Sequence, residues 1–325
     1  MYLCIEHQKK LYGAFRLGRS AMKKITAREL FTYVRKQSND VEIYGNYEVE
    51  ICGFSSLQNY KQGSITWIKG QANVVSNMEM LTAVVCPPDI EIEAEVKLVT
   101  DNPKDIFFTA IAYLDDKEEP FGIAETAVLG NNVSVGRNVS IGAYCCIADN
   151  VIIGDGTKIE PHVVVHRNVR IGRRCTVKAG AVIGGEGFGY SKRDRTYHKV
   201  SHYGTVVVGD DVDIGNNTCI DRGTIDDTVI EDGVKIDNLC HIAHNARIGR
   251  ASCIVANSTI CGSVSIGREA YIAPNSVIMN QMQVEDGALL GMGAGVIGNV
   301  KKNTVNVGFP AKVIRTRTDE DWKKY

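Results

Sequence analysis

From Ile123 onward an aliphatic residue returns at every sixth position. Ile123, Leu129, Val135, Ile141, Ile147, Ile153, Ile159, Val165, Ile171, Val177 and Ile183 keep the period. It lapses, resumes at Val208, Ile214 and Ile220, shifts phase across RGTIDD, and then runs unbroken from Ile230 to Val296. No amphipathic helix repeats at six, and a half-buried strand alternates at two. A short fixed period marks a chain whose units bury their apolar faces only by stacking on one another. The period therefore predicts a parallel β-helix, with one inward aliphatic per short strand, a turn, and the next strand. Four residues after each aliphatic stands something small or β-branched, such as Val139, Cys145, Thr157, Cys175 or Ala181, sized for a tight corner. That gives Cys145, Cys175 and Cys240 a packing role rather than a redox one. Glycines at 130, 136, 142, 154, 172, 209, 215, 249 and 267 suit turns that need positive φ.

The hexads resemble those of the hexapeptide-repeat acyltransferases. The resemblance implies a left-handed, three-sided prism that assembles as a homotrimer, with active sites between neighbouring subunits. The overall reading is mainly β: a left-handed parallel β-helix over 116–307, preceded by a small α/β domain over 24–115. The latter opens with TARELFTYVRK, where Thr26 and Glu29 stand at capping-box spacing ahead of Leu30, Phe31 and Val34. Residues 1–23 form an extension expected to be disordered, with Met22 an alternative start. Residues 113–122 read as a polar linker. Residues 184–206 interrupt the hexads and must bulge outward. Residues 308–325 make a short cap.

Composition narrows the function. Net charge is −1, so no basic field argues for nucleic acid. No apolar run approaches a membrane span, and the first residues lack a signal-peptide core. Ten cysteines include no C-x-x-C pair and no zinc spacing, which suits free thiols in a cytoplasmic protein. No metal and no cofactor are expected.

Two histidines, His241 and His244, stand in DNLCHIAHNARIG, residues 237–249. His244 lies two residues past the inward Ile242, near a corner, so its ring should face out. Gly262 is three hexads later, one coil on, about 4.8 Å along the axis. A base and a main-chain N–H on adjacent coils are what acyl transfer needs: one takes a proton, the other holds the oxyanion. A solvent-exposed histidine is the plain alternative. His241 either lines the same pocket or covers a face. His162 and His166 read as surface residues.

GGEGFGY, IGNNTCIDRGTIDDTVI and IDNLCHIAHNARIG are similar to blocks of the UDP-3-O-(3-hydroxyacyl)glucosamine N-acyltransferase family. The resemblance covers about residues 24–300. It implies transfer of a 3-hydroxyacyl chain from acyl carrier protein to the amine of a UDP-linked amino sugar, as in lipid A biosynthesis. It assigns the general base to His244 and the oxyanion N–H to Gly262. It puts Gly187, Phe188, Tyr190 and Asn238 near the substrate. Three departures stand out. A second active-site histidine of the family is replaced by Gln281. Trp67 can stack on uracil, but Gly70 and Asn73 fill the other uridine positions. The closing helices are absent, and GFPAKVIR resembles the ending of sugar acetyltransferases that use acyl-CoA. An acetyl-CoA-dependent sugar acetyltransferase is thus the second reading, and a non-catalytic scaffold the third.

Overall fold

The structure, a computed structural model, describes residues 22–70, 80–115, 121–310, 312–318 and 320–321. The chain divides into two compact units, one up to Glu119 and one from Pro120 onward. The expectation of disorder over 1–23, and Asn73, fall almost wholly outside the described residues.

The first unit is a five-stranded sheet with two helices. Helix α1 spans Ala27–Gln37, and its capping box is formed: the Glu29 N–H donates to Thr26 Oγ1 and the Thr26 N–H to Glu29 Oε2. The sheet order is Glu42–Gly45, Ala94–Val99, Leu81–Cys86, Ser64–Trp67, Gly53–Phe54. Its first pair is antiparallel and the rest parallel. Every residue of Leu81–Cys86 is buried, as expected of a strand covered on both faces. A second helix, α2 (Pro103–Leu114), starts with proline at its first turn, where the missing N–H costs nothing. The sequence reading missed it, because its apolar residues lie too nearly all round for a clear stripe.

The second unit is the left-handed parallel β-helix. Two-residue strands stack into three parallel walls, and the register follows the hexads: Ile141 lies on Ile159, Ile236 on Ile254, Ile242 on Ile260. The inward column is buried from Ile141 to Val296. Only at the start of the stack does it open, with Ile123 48% exposed. The small corner residues are buried too. Several use a hydroxyl or thiol to satisfy a carbonyl of the next coil, as Thr157 does for Gly172 (2.8 Å), Ser252 for Gly267 (2.8 Å) and Cys145 for Glu160 (3.0 Å). All nine described cysteines are unpaired.

The corner glycines act differently from expectation. None of those at 130, 136, 142, 154, 172, 209, 215, 249 or 267 has positive φ; asparagines such as Asn132, Asn138, Asn150 and Asn168 do. Asparagine tolerates the left-handed region because its short amide bonds locally. The glycines serve close approach instead: a Cβ on Gly154 would lie 2.6 Å from the carbonyl carbon of Gly172.

The excursion over 184–206 is more ordered than a loop. Val182–Glu186 overruns its corner, Tyr190–Arg193 and Thr196–Lys199 form a hairpin, and the chain rejoins the wall at Val206–Val208. The tail returns as Lys312–Thr316, antiparallel to Thr304–Val307.

Candidate active site

His244 follows the strand His241–Ile242 and sits at a corner, outside the column. The next coil lies directly against it, since the Ser263 N–H donates to the His244 carbonyl at 2.9 Å. The imidazole covers the α-carbon of Gly262. A Cβ there would lie 2.7 Å from both Cε1 and Nε2 of the ring, so any larger residue must displace the imidazole. Among the described residues the Gly262 N–H donates to nothing, while its carbonyl accepts from Gln281 N at 2.9 Å.

The tautomer of His244 follows from its neighbours. The Asn245 amide nitrogen donates to the Asp226 carbonyl (2.9 Å), and its oxygen accepts from the N–H and hydroxyl of Thr224 (3.0 and 2.8 Å). That oxygen also faces His244 Nδ1 at 3.0 Å. An acceptor there requires the ring proton on Nδ1, which leaves a lone pair on Nε2. The base is thus oriented by a side chain that is itself held by the Asp226 carbonyl and by Thr224.

Asp221 lies close by for a reason tied to the lapses in the repeat. Strand Cys219–Arg222 overruns its corner to pair Asp221 with Gly185 and Arg222 with Glu186, across a register shift. The Asp221 carboxylate is 3.6 Å from His241 Nε2, longer than a hydrogen bond. Burial pushes this carboxyl above its ordinary value, against the opposing pull of His241, His244 and His202.

A cavity of about 420 Å³ opens here, with Phe188, Asp221, His241, His244, Gly262 and Gln281 in its wall. Of the expected site residues, His241, His244, Gly262, Phe188 and Gln281 meet at this cavity. Gly187 packs against two of its wall residues: a Cβ there would be 3.1 Å from the His244 ring and 3.2 Å from Asp221. Phe188 is 85% exposed and packs on Tyr190, with centroids 4.9 Å apart. Asn238 is not brought in: it stands at another corner, where its oxygen accepts from the Asn216 N–H and amide. Trp67 belongs to the first unit, half-buried and tilted on Phe107. Asp221, Asn245 and His202 were not singled out from sequence as site residues. The phase shift at RGTIDD was the available signal for the first. His166, read as a surface residue, is half-buried, because the overrunning strand lays Gly184 against it. Burial and the nearby Arg222 and Arg167 push its imidazole pKa down.

A prism of hexads, with a histidine and a bare glycine amide on facing coils, defines a hexapeptide-repeat transferase. Residues 118–226 match the family described as "GMPPB C-terminal domain", and 227–262 match "Bacterial transferase hexapeptide (six repeats)". The chain is 34% identical to the UDP-3-O-acylglucosamine N-acyltransferase of Methylobacillus flagellatus, over 71% of this chain and 70% of that one. It is 33% identical to the enzyme of the same name from Desulfotalea psychrophila, over 88% of each. Solved structures of a UDP-N-acetylglucosamine acyltransferase from Campylobacter jejuni and one from Bacteroides fragilis superpose with TM-scores of 0.55 and 0.56. They are 21% and 23% identical, cover 62% of this chain, and are covered over 81% and 78% of their own length, a likeness of fold. The chain belongs to the UDP-3-O-acylglucosamine N-acyltransferase family and is an N-acyltransferase.

Proposed function

We propose that this enzyme moves an acyl chain, 3-hydroxyacyl by family resemblance, from a thioester to the amine of a UDP-linked amino sugar, as lipid A biosynthesis requires. His244 Nε2 removes the proton as the amine attacks the thioester carbonyl carbon. The Gly262 N–H stabilises the oxyanion of the tetrahedral intermediate. Collapse expels the thiolate, a good leaving group that takes up the proton, and leaves an amide. The observation that carries this reading is the fixed tautomer: Nδ1–H is tied to Asn245, which leaves the lone pair on Nε2 of a ring lying over the α-carbon of Gly262, whose N–H donates to nothing among the described residues.

A long acyl chain suits this face better than acetyl. Ala243, Cys261, Met279 and Ile297 occupy equivalent places on four successive coils, and the last two are 40% and 57% exposed. That apolar stripe starts beside Gly262 and runs along the axis. The donor is acyl carrier protein or acyl-CoA, which puts the reaction in the cytoplasm. By family resemblance, Trp67 is the residue that stacks on uracil. In a homotrimer, as the family resemblance implies, Asn238 would serve a neighbouring copy's cleft. Gln281 offers the sugar an uncharged amide.

Mass spectrometry of the sugar product tests this. The enzyme is incubated with a UDP-linked amino sugar and either acyl carrier protein thioester or acetyl-CoA. A long-chain amide is expected. An acetylated product, or none, would count against the reading.

A further inference from the structure

Arg222 is 4% exposed, and nothing in the steps above uses it. Its Nε donates to the Gly204 carbonyl at 2.8 Å and its Nη2 to the Arg167 carbonyl at 2.9 Å. Both partners are main-chain groups, so they fix the guanidinium without neutralising it. Among the described residues no carboxylate pairs with it, and the N–H groups of Nη1 are left to donate elsewhere. A charge so buried is costly unless a counter-charge comes to meet it.

Arg222 lines a cavity of about 540 Å³ that shares no wall residue with the one beside His244. The other ionisable side chains in its wall are Asp149, His166, Arg167 and Glu186. Arg167 is exposed and makes no ion pair among the described residues. Burial first, then Arg167, lowers the Arg222 pKa, with Glu186 and Asp227 pulling the other way. The carboxylates nearby are engaged: Glu186 pairs with Lys199, Asp149 accepts from the Asn131 N–H at 2.6 Å, and Asp227 from the Thr205 N–H at 2.8 Å. Two guanidiniums and an imidazole therefore share a cavity whose acids already have partners.

Both reactants carry phosphate: the sugar nucleotide in its diphosphate, the thioester donor at the far end of its pantetheine arm. Position separates them. Strand Cys219–Arg222 is one coil from His241–Ile242, and the Arg222 side chain reaches away from it to the Arg167 carbonyl. The cations thus begin roughly 10 Å, or two coils, from the base. In a UDP-linked glucosamine the diphosphate hangs on the ring carbon next to the one bearing the amine, which spans that distance. The donor's phosphate is held off by the whole pantetheine arm. We infer that Arg222, Arg167 and His166 form the site for the diphosphate of the sugar nucleotide, with both guanidiniums donating to its non-bridging oxygens and the imidazole adding one N–H. The inference rests on the acyltransferase reading above and names the residues that hold the nucleotide's charge.

The test is calorimetric binding of UDP, uridine and coenzyme A to the full-length chain. The unmodified protein should bind UDP more tightly than uridine. Arg167→Gln changes an exposed side chain and keeps the carbonyl that holds Arg222. It should weaken UDP about tenfold, the scale of a hydrogen bond to a charged group, and leave uridine and coenzyme A unchanged. Arg222→Lys keeps the charge but loses the fork, and should weaken UDP by more; if it does not fold, Arg167→Gln decides. UDP bound no better than uridine, or a folded Arg167→Gln with normal UDP affinity, overturns the inference. So does a loss confined to coenzyme A. Amide formation alongside such a result leaves the acyltransferase reading standing. Conversely, a UDP affinity that depends on Arg167 in a protein that forms no amide keeps the site and overturns that reading.

Discussion

The coils from Ile230 to Val296 and those between Ile183 and Thr228 are built from the same hexads, yet they contribute differently to the cleft. In the first set every corner repeats the one before, and strict registry stacks Gly262 under His244. In the second set the repeat is broken twice, and each break delivers something. The excursion supplies Gly187, Phe188 and His202. The overrun at Cys219–Arg222 supplies Asp221, and the residues after it supply Thr224 and Asp226, which orient Asn245. Regular coils fix the distance between base and amide. Irregular coils furnish the groups that surround them.

That difference can be broken from the regular side first. Ile254 is fully buried in the column, so Ile254→Asp puts an unpaired carboxylate in a dry interior. The cost of several kcal/mol is a large share of a typical domain's stability. Cooperative melting should be lost or shifted far down, and an unchanged melting curve would refute the inward column. Gly262→Ala is smaller in volume and local in effect. Its methyl would need the space of the His244 ring, so turnover should fall about ten- to hundredfold, the scale of a disturbed oxyanion donor, with melting little changed. Normal kinetics for it would mean that the ring and amide do not share a reaction centre.

The irregular side should give smaller effects. Asn245→Ala releases His244 Nδ1 from its acceptor, and turnover should drop by about tenfold as the wrong tautomer becomes populated. Asp221 should show its influence in the pH dependence of stability. Burial raises its pKa in the folded chain, so the folded state holds that proton more tightly than the unfolded state does. The resulting stability is fully present below the unfolded value of about 3.9, and it is lost as pH rises through the folded value. At neutral pH the charged carboxylate is therefore a net cost. Asp221→Asn should raise Tm by about 1–3 °C at pH 7 and lose that advantage in acid. A lower Tm at pH 7 would show that its imidazole neighbours outweigh burial.

The same contrast explains what the sequence made legible. A period of six, once seen, locates the column, the corner residues and the His244–Gly262 registry, because each coil copies the last. His202 and Asp221 were harder to read because breaks in the period position them, and a break carries no template. Asn245 was overlooked beside the histidine it orients, since its role depends on Asp226 and Thr224, around nineteen to twenty-one residues away. The glycines were visible but misread: their need is for closeness between coils, which is a property of stacking rather than of the turn itself. Helix α2 escaped for want of a polar face.

The most direct test of the account is the single-turnover rate of acyl transfer by His244→Ala, measured on protein whose melting curve matches the unmodified chain. Removal of a positioned base should cost at least about two orders of magnitude. A folded variant that still acylates its sugar at close to the normal rate would contradict the assignment of this imidazole as the base.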